Sequence, residues 1–209
     1  MSFYRDDISY VASIDVVRAQ HPAAMTRATG KVLDRLDKHC QAILAKSTFC
    51  VVGTHGPNGA DVSPRGDPPG FVRALDERHV LLPDRIGNNR FDSMANLFVN
   101  PAIGLLFLVP GMSETLRING LGRVTDDANL LTPSAVQSRP PKIGIVVEVR
   151  EAFLHCAKAL NRAGLWDPER HINRQDLPSY TQMLADQVDG LTREESERQG
   201  AEMARRGMY

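Results

Sequence analysis

Apolar residues follow a helical spacing early in the chain. Between positions 32 and 44 they fall three or four residues apart, with Lys, Arg and Asp between them. This spacing predicts an amphipathic helix over 29–46, with Thr29 or Thr26 as its N-cap. The stretch "SIDVVRAQ" (13–20) predicts a shorter helix before it, ended by "HPAA".

The period then changes from helical to alternating. β-branched and aromatic residues in short runs, separated by turn residues, predict strands over 48–55, 60–65, 70–76, 79–84, 102–110, 114–127 and 142–156. The run 102–109 is apolar throughout, which favours a strand buried on both faces. One helix is expected to cross between two strands, opening near Asn88–Asn89 and stopped by Asn100–Pro101.

Two further helices are predicted after the last strand, over 178–190 and 192–207. Thr192 and Glu195 have the spacing of a capping box at the start of the second helix. Six or seven short strands joined by short turns favour a closed antiparallel barrel over a sheet built from βαβ units. The fold class expected is therefore mainly β with flanking helices.

Composition narrows the class of function. The chain has 209 residues, enough for one domain with additions, and 25 basic residues balance 25 acidic ones. A net charge of zero argues against general binding of nucleic acid or of a membrane surface, since both need a basic field. The longest apolar run is too short to span a bilayer, and "MSFYRDDISY" has no signal-peptide pattern. Three cysteines without a C-x-x-C predict reduced thiols and a cytoplasmic protein.

A metal site is not expected. The six histidines show no H-E-x-x-H motif and no pair at i, i+4. His155 and Cys156 are adjacent in a predicted strand, so their side chains point to opposite faces of the sheet.

The stretch "DVSPRGDPPGF" (61–71) places one arginine in a stiffened break between strands. Pro64 has no N–H for a ladder, so the strand is expected to end or bulge there. Gly66 would allow a positive φ or the close approach of another group. The prediction is a rigid corner presenting Ser63 and Arg65, and a plain tight loop with a solvated arginine is the alternative.

A second segment, "LLPDRIGNNRFDSMANL" (81–97), runs from a strand through a polar loop into a helix. Asn88, Asn89 and Arg90 come at the predicted start of that helix, where free N–H groups and the helix dipole favour an anion. Two arginines, Arg65 and Arg90, near one helix N-terminus would suit a phosphate group. Simple capping by an asparagine is the alternative.

Together these segments resemble a known family. Residues 61–111, with S-P-R-G-D, L-P-D-R-x-G-N-N-R and the N-P before an apolar strand, are similar to the FMN-binding split barrel of the pyridoxamine 5′-phosphate oxidase-related proteins. The later "EAFLHCAKALNRAGLWDP" (151–168) extends the resemblance, which covers roughly residues 40–170. It implies an N-terminal extension over 1–28, a split barrel with a leading helix over 29–166, and a C-terminal helical extension over 167–209.

The resemblance also implies a homodimer with FMN at the subunit interface. The residues that it assigns to the cofactor follow two strands, the helix start and the region after the last strand: Ser63, Pro64, Arg65, Gly66, Leu82, Pro83, Asp84, Arg85, Asn89, Arg90, His155, Lys158 and Trp166. In the family, residues after the last barrel strand reach the flavin, often from the partner chain, and the last three residues would have that role. The alternative for them is a plain amphipathic helix start with Trp166 in the core or at the dimer interface.

One departure limits what the resemblance implies. The true pyridoxamine phosphate oxidases carry a C-terminal E-[aromatic]-W start and an R-x-H-[acid]-R run, and this chain has no such run. The activity implied is that of an FMN-dependent oxidoreductase, in which hydride passes through flavin N5. Its expected partners are a small-molecule substrate or an electron donor such as NAD(P)H. No side chain is singled out as a catalytic acid or base. The alternatives are a non-catalytic flavin, haem or deazaflavin binding protein acting as a sensor or carrier, and a structural dimer with an empty site.

Overall fold

The structure is a computed structural model that describes residues 5–207 and 209. The first four residues of the predicted N-terminal extension, and residue 208 of the C-terminal one, lie outside the described residues. The chain divides into two compact units, Met1–Val32 and Leu33–Tyr209. In the first unit, helix α1 (Ile14–Ala19) is capped by the Ser13 hydroxyl, helix α2 (Thr26–Thr29) follows, and neither buries a residue.

The second unit is built on one sheet with helices around it. In chain order its elements are α3 (Lys38–Leu44), β1 (Phe49–Gly56), β2 (Gly59–Gly66), β3 (Arg73–Ala74), β4 (His79–Pro83), α4 (Asp92–Val99), β5 (Ala102–Leu108), β6 (Thr115–Thr125), α5 (Ala128–Leu131), β7 (Gly144–His155), α6 (Lys158–Ala163), α7 (Tyr180–Gln187) and α8 (Arg193–Arg206). The mainly β class and the predicted strands are confirmed. The strand predicted over 70–76 shortens to the two residues of β3.

The sheet is antiparallel throughout, with the order β2-β1-β5-β6-β7-β4-β3. Within the described part of the chain no ladder joins β2 to β3, which are the two edge strands. The split barrel that the family resemblance implies is therefore confirmed, whereas the closed barrel that the strand pattern alone favours is not formed. Side chains, not backbone ladders, have to bridge the opening.

The core lies on the inner face of the sheet. Cys50 and Val52 of β1 and Phe107 of β5 are fully buried, and α4 adds Met94 and Leu97. The prediction that 102–109 is buried on both faces is wrong, because buried and half-buried residues alternate along β5. That alternation is typical of an antiparallel strand with one face on the core.

The helix predicted over 29–46 is also shorter than expected. Leu33 makes two backbone hydrogen bonds with Ala152 of β7, at 3.0 and 2.8 Å, so this part of the chain is extended. The helix α3 begins only after Asp37, whose carboxylate accepts hydrogen bonds from two backbone N–H groups of its first turn. Pairing with a distant strand has overridden a local helical pattern.

The remaining helices are close to their predicted positions. The chain enters α4 at Asp92, later than the predicted start near Asn88–Asn89. The helices α7 and α8 are confirmed, and the hydroxyl of Thr192 caps α8 by accepting from Glu195 N at 3.2 Å. Across residues 5–207 and 209, no helix has both the length and the apolar character that crossing a bilayer requires.

Candidate functional site

The predicted corner is a continuation of the edge strand β2. Pro64 pairs with Val51 inside the ladder, so the break expected at this proline is wrong. An edge strand needs ladder hydrogen bonds on one side only, and a proline without an N–H is tolerated there. The left-handed backbone lies at Gly70, with φ 79°, and not at Gly66.

Strand β2 carries its polar side chains on one face. Asp61, Ser63 and Arg65 alternate with more exposed neighbours, and each is half-buried. Because successive strand residues point to opposite faces, these three side chains line one surface, which β2 presents toward the opening of the barrel.

Two ion pairs cross the opening in reciprocal fashion. The Nη1 of Arg65 lies 3.0 Å from Asp84 Oδ1, and the Nε of Arg85 lies 2.5 Å from Asp67 Oδ2. Each of the two segments thus contributes one arginine and one aspartate. Arg85 also donates from Nη2 to the carbonyl of Ser134 at 2.7 Å. The pairs fix the end of β4 against the end of β2, where the ladder is missing.

The two pairs differ in burial. The side chains of Arg65 and Asp84 are 25% and 20% exposed, whereas that of Asp67 is 1% exposed. Arg65 keeps an unused donor, because its Nε is buried and has no hydrogen-bond partner in the structure. A buried unpaired guanidinium N–H is costly, and such a group in a native protein points to a missing partner.

The start of α4 is arranged in an unusual way. Its N-cap residue is Phe91, which lies in the left-handed region at φ 58° and supplies no side-chain cap. Asn89 is also left-handed, while the side chain of Asn88 accepts from the backbone N–H of Arg90 at 3.1 Å. The alternative of asparagine capping is therefore wrong for this helix. Arg90 itself is 72% exposed and pairs with Asp92 at 2.7 Å.

Polar contacts hold the start of α4 against the sheet. The Ser93 hydroxyl donates to Asp61 Oδ2 at 2.9 Å, and the Asn96 amide donates to the Thr54 hydroxyl at 3.0 Å. Gly56 leaves the space that the Asn96 side chain fills. One carboxylate of the β2 face is thus already engaged by α4.

Three recesses with overlapping linings run along the opening. The Arg90 recess has a volume of about 290 Å³, the Pro83 recess about 190 Å³ and the Arg73 recess about 170 Å³. The first two share Pro64 and Arg65, and the second and third share Phe71 and Arg85. These three neighbouring recesses are called the trough below.

The trough gathers most of the residues predicted on β2, β4 and the α4 loop. Those that line it are Ser63, Pro64, Arg65, Gly66, Pro83, Arg85 and Arg90. Asp84 contacts it through Arg65. Leu82 is 2% exposed and belongs to the hydrophobic core, and Asn89 is exposed beside the recess lining.

The predicted residues after the last strand lie elsewhere in the protomer. His155 ends β7 opposite Thr115, whereas Pro83 pairs with Gly144 at the other end of the same twelve-residue strand. At about 3.3 Å per residue, that strand is roughly 36 Å long. Lys158 is exposed at the start of α6, and the indole N–H of Trp166 donates to the carbonyl of Met112 at 2.9 Å.

Sequence reasoning missed Asp67 and Tyr209. The Tyr209 hydroxyl donates to Asp67 Oδ1 at 2.6 Å, its ring lies 5.9 Å from the guanidinium carbon of Arg85, and Arg139 donates to its backbone oxygen. The hydrogen bond to Asp67 raises the pKa of the Tyr209 phenol. Asp67 lies in the S-P-R-G-D motif, and its negative charge could have suggested an ion pair with Arg85. Nothing in the sequence indicates a contact with a tyrosine 142 residues away.

Three other features were considered as sites: a second hollow, the Cys50 thiol and groups of potential metal ligands. A wider, shallow hollow of about 690 Å³ lies on the outer side of β1, β5 and β6, and none of the predicted residues lines it. Burial raises the pKa of the Cys50 thiol to about 12, against the opposing charge of Arg65, so this thiol stays protonated near neutral pH. Among the described residues, no group of three His, Cys, Asp or Glu side chains is placed to hold a metal ion.

Comparison with known proteins gives one match that spans the barrel. The family model described as pyridoxamine 5′-phosphate oxidase matches residues 36–156, more than half of the chain. Among curated proteins, nothing matches.

Solved structures with a similar fold include HupZ of Group A Streptococcus. It is 15% identical, the alignment covers 57% of this chain and 93% of that one, and the TM-score is 0.47. Another is a Clostridium acetobutylicum protein related to general stress protein 26 of B. subtilis (pyridoxinephosphate oxidase family). It is 14% identical over 56% of this chain and 85% of that one, with a TM-score of 0.43.

Proposed function

Because the chain belongs to the pyridoxamine 5′-phosphate oxidase family, we propose that it binds FMN in the trough and functions as an FMN-dependent oxidoreductase. The observation that carries this proposal is the buried Nε of Arg65. It has no partner, and Arg65 lies where the Arg90 and Pro83 recesses meet. A cofactor with an anionic group would supply the acceptor that the protein lacks.

The Arg90 recess fits the phosphate of the cofactor. It is lined by Ser63, Arg65 and Arg90, and the first turn of α4 opens beside it without a side-chain cap. Free N–H groups at a helix N-terminus favour an anion. The left-handed conformation of Phe91 costs about 1–2 kcal/mol, and strain of this kind is characteristic of binding sites.

Two carboxylates line this recess beside the two arginines. Its two carboxylates are engaged, since Asp61 accepts from the Ser93 hydroxyl and Asp92 pairs with Arg90. Arg90 is mostly exposed and its ion pair contributes about 0–1 kcal/mol, so it is free to turn toward a phosphate. Arg65 is instead held in position by Asp84, which limits the entropy that its side chain loses when a ligand binds.

The Pro83 recess would hold the less polar part of the cofactor against Pro64, Gly66 and Pro83. Arg85 places a fixed positive charge at its edge, because Asp67 and the Ser134 carbonyl orient the guanidinium. When bound, FMN would supply the redox chemistry by exchanging a hydride with the substrate. The contribution of the chain is to bind, orient and shield it, with NAD(P)H as the proposed electron donor.

A homodimer is part of the proposal. Three apolar side chains at the rim of the trough, Val62, Ile86 and Phe91, are 69%, 77% and 47% exposed. Exposed apolar residues around a recess favour a covering partner. His155, Lys158 and Trp166 lie away from Pro83 in their own protomer, and we propose that they reach the flavin of the partner subunit.

The proposal is tested by adding FMN to the purified, dialysed protein and recording its visible spectrum and flavin fluorescence. We expect a two-banded flavin spectrum and tight binding. Arg65→Ala should weaken FMN binding by about 10- to 150-fold, as expected for one charge-assisted hydrogen bond. The matched control is Arg123→Ala, since Arg123 is exposed on β6 outside the trough.

Two results would contradict the proposal. A protein that neither contains nor binds FMN excludes the cofactor, and a Soret band would show haem instead. If Arg65→Ala and Arg123→Ala bind FMN equally well, the unpaired Nε of Arg65 is not a phosphate ligand.

A further inference from the structure

The Arg73 recess is the part of the trough that the FMN proposal does not use. Its cation, Arg73, is half-buried at the short strand β3 and donates from Nη2 to the Leu130 carbonyl at 3.0 Å. Its Nε is buried with no hydrogen-bond partner, and Arg73 forms no ion pair among the described residues. A half-buried guanidinium without a counter-charge attracts an anion.

A second polar group beside the same recess is unpaired. Ser134 is 8% exposed, and its hydroxyl is buried without a partner. The short 3₁₀ turn Thr132–Ser134 places it there, and its carbonyl is already bonded to Arg85. A serine hydroxyl can rotate to donate to a ligand oxygen, so Ser134 and Arg73 together offer a charged donor and a neutral one.

The only carboxylate that lines the recess, among the described residues, is already occupied. Asp67 accepts from Arg85 at Oδ2 and from the Tyr209 hydroxyl at Oδ1. Each of its two oxygens thus already accepts one hydrogen bond. With Asp67 and Arg85 neutralising each other, the uncompensated charge of the recess is that of Arg73, which selects anions over cations.

The walls of the recess indicate what kind of anion fits. Apolar side chains and proline rings form about half of them, namely Pro68, Pro69, Phe71, Pro133, Ala135 and Val136. The volume of about 170 Å³ suits a small organic molecule, and apolar walls with a few placed polar groups are typical of ligand sites.

We propose that the Arg73 recess binds the carboxylate of a small organic-acid substrate, with Arg73 and Ser134 as its donors. The inference deepens the proposed function, on which it rests, because this recess shares Phe71 and Arg85 with the Pro83 recess. A substrate anchored there would lie next to a cofactor bound in the rest of the trough. Arg73 is then a specificity-determining residue.

The test uses benzoate as the probe and benzamide as its neutral counterpart, titrated by calorimetry into the purified full chain. We expect benzoate to bind and benzamide to bind about tenfold or more weakly, because only the carboxylate pairs with Arg73. Arg73→Gln should weaken benzoate binding by a similar factor, since the glutamine side chain is polar but has no charge. Arg123→Gln is the matched control and should bind benzoate normally.

The inference is overturned if benzoate does not bind, if benzamide binds as well as benzoate, or if Arg73→Gln binds benzoate unchanged. Should Arg73→Gln fail to fold, Ser134→Ala gives the same test, with an expected loss of about 2- to 10-fold. FMN titrations of the same samples separate the two proposals. Benzoate binding without FMN binding would refute the cofactor alone, and FMN binding without benzoate binding would refute the substrate recess alone.

Discussion

The ion pair between Arg85 and Asp67 should contribute more to stability than any exposed pair on this protein. Asp67 is 1% exposed, so replacing Arg85 by methionine leaves a buried carboxylate with only the Tyr209 hydroxyl to stabilise it. Removing one partner of a buried pair costs about 3–5 kcal/mol. In a chain of this size, that cost lowers the unfolding midpoint by roughly 6–20 °C.

The assay is thermal unfolding of Arg85→Met, followed by circular dichroism in the absence of added ligand. The matched control is Arg150→Met, because Arg150 pairs with Glu148 while both side chains are largely exposed, at 57% and 43%. Exposed pairs contribute about 0–1 kcal/mol. The control should therefore change the midpoint by no more than a few degrees.

A second substitution separates the buried charge from the loss of packing. Asp67→Asn in the Arg85→Met background removes the unpaired charge but keeps an acceptor for Tyr209. We expect the double variant to be more stable than Arg85→Met alone, since the two positions are directly coupled. If Arg85→Met destabilises no more than Arg150→Met, or if the double variant shows no recovery, the crosswise pair does not hold the barrel opening together.

Two further predictions follow from single contacts. Gly56→Ala should lower the free energy of unfolding by about 1–3 kcal/mol, because the added methyl group would overlap a side chain of α4. Gly53→Ala should lower it less, since the nearest atom to its added methyl group is 3.8 Å away. Urea unfolding of both variants tests this, and equal losses of stability would contradict it. Tyr209→Phe should remove a pH dependence. Since the phenol pKa is raised in the folded state, its bond to Asp67 contributes stability below the ordinary tyrosine pKa of about 10 and loses it as pH rises through the folded value. Urea midpoints at pH 8 and pH 11 should thus fall further for the parent than for Tyr209→Phe, and parallel changes would show that the hydroxyl plays no part.

The strands were predictable because their signal is local. The strands predicted at "TFCVVGTH" and "KIGIVVEVREAFLHC" rest on residue types within each run, and the structure has β1 and β7 there. The helix predicted over 29–46 failed for the opposite reason. Its apolar spacing is real, but Leu33 forms its hydrogen bonds with Ala152, more than a hundred residues away. A local pattern carries no information on such a pairing.

In the candidate site too, local motifs could be predicted from the sequence and long-range contacts could not. The motifs around Arg65, Arg85 and Arg90 lie within thirty residues of one another. Arg65 and Arg90 were identified from residue types, and Arg85 from the family resemblance. Their partners were not, because an aspartate pairs with an arginine across the barrel opening only once both strand ends are in place. The contact between Tyr209 and Asp67 was not predictable either, because no motif near Tyr209 indicates its partner.

The crosswise arrangement also explains why a lone arginine stands in so stiff a segment. A split barrel has no ladder across its opening, so side chains must fix the distance between β2 and the end of β4. For that purpose Asp84 Oδ1 accepts a hydrogen bond from Arg65 Nη1 at 3.0 Å. The Nε of the same guanidinium is buried and has no hydrogen-bond partner. A donor immobilised in this way loses little entropy when an anion binds. Under the proposed function, the same contact that bridges the opening would also position Arg65 for an anion, and a ligand oxygen would supply the acceptor that its Nε lacks.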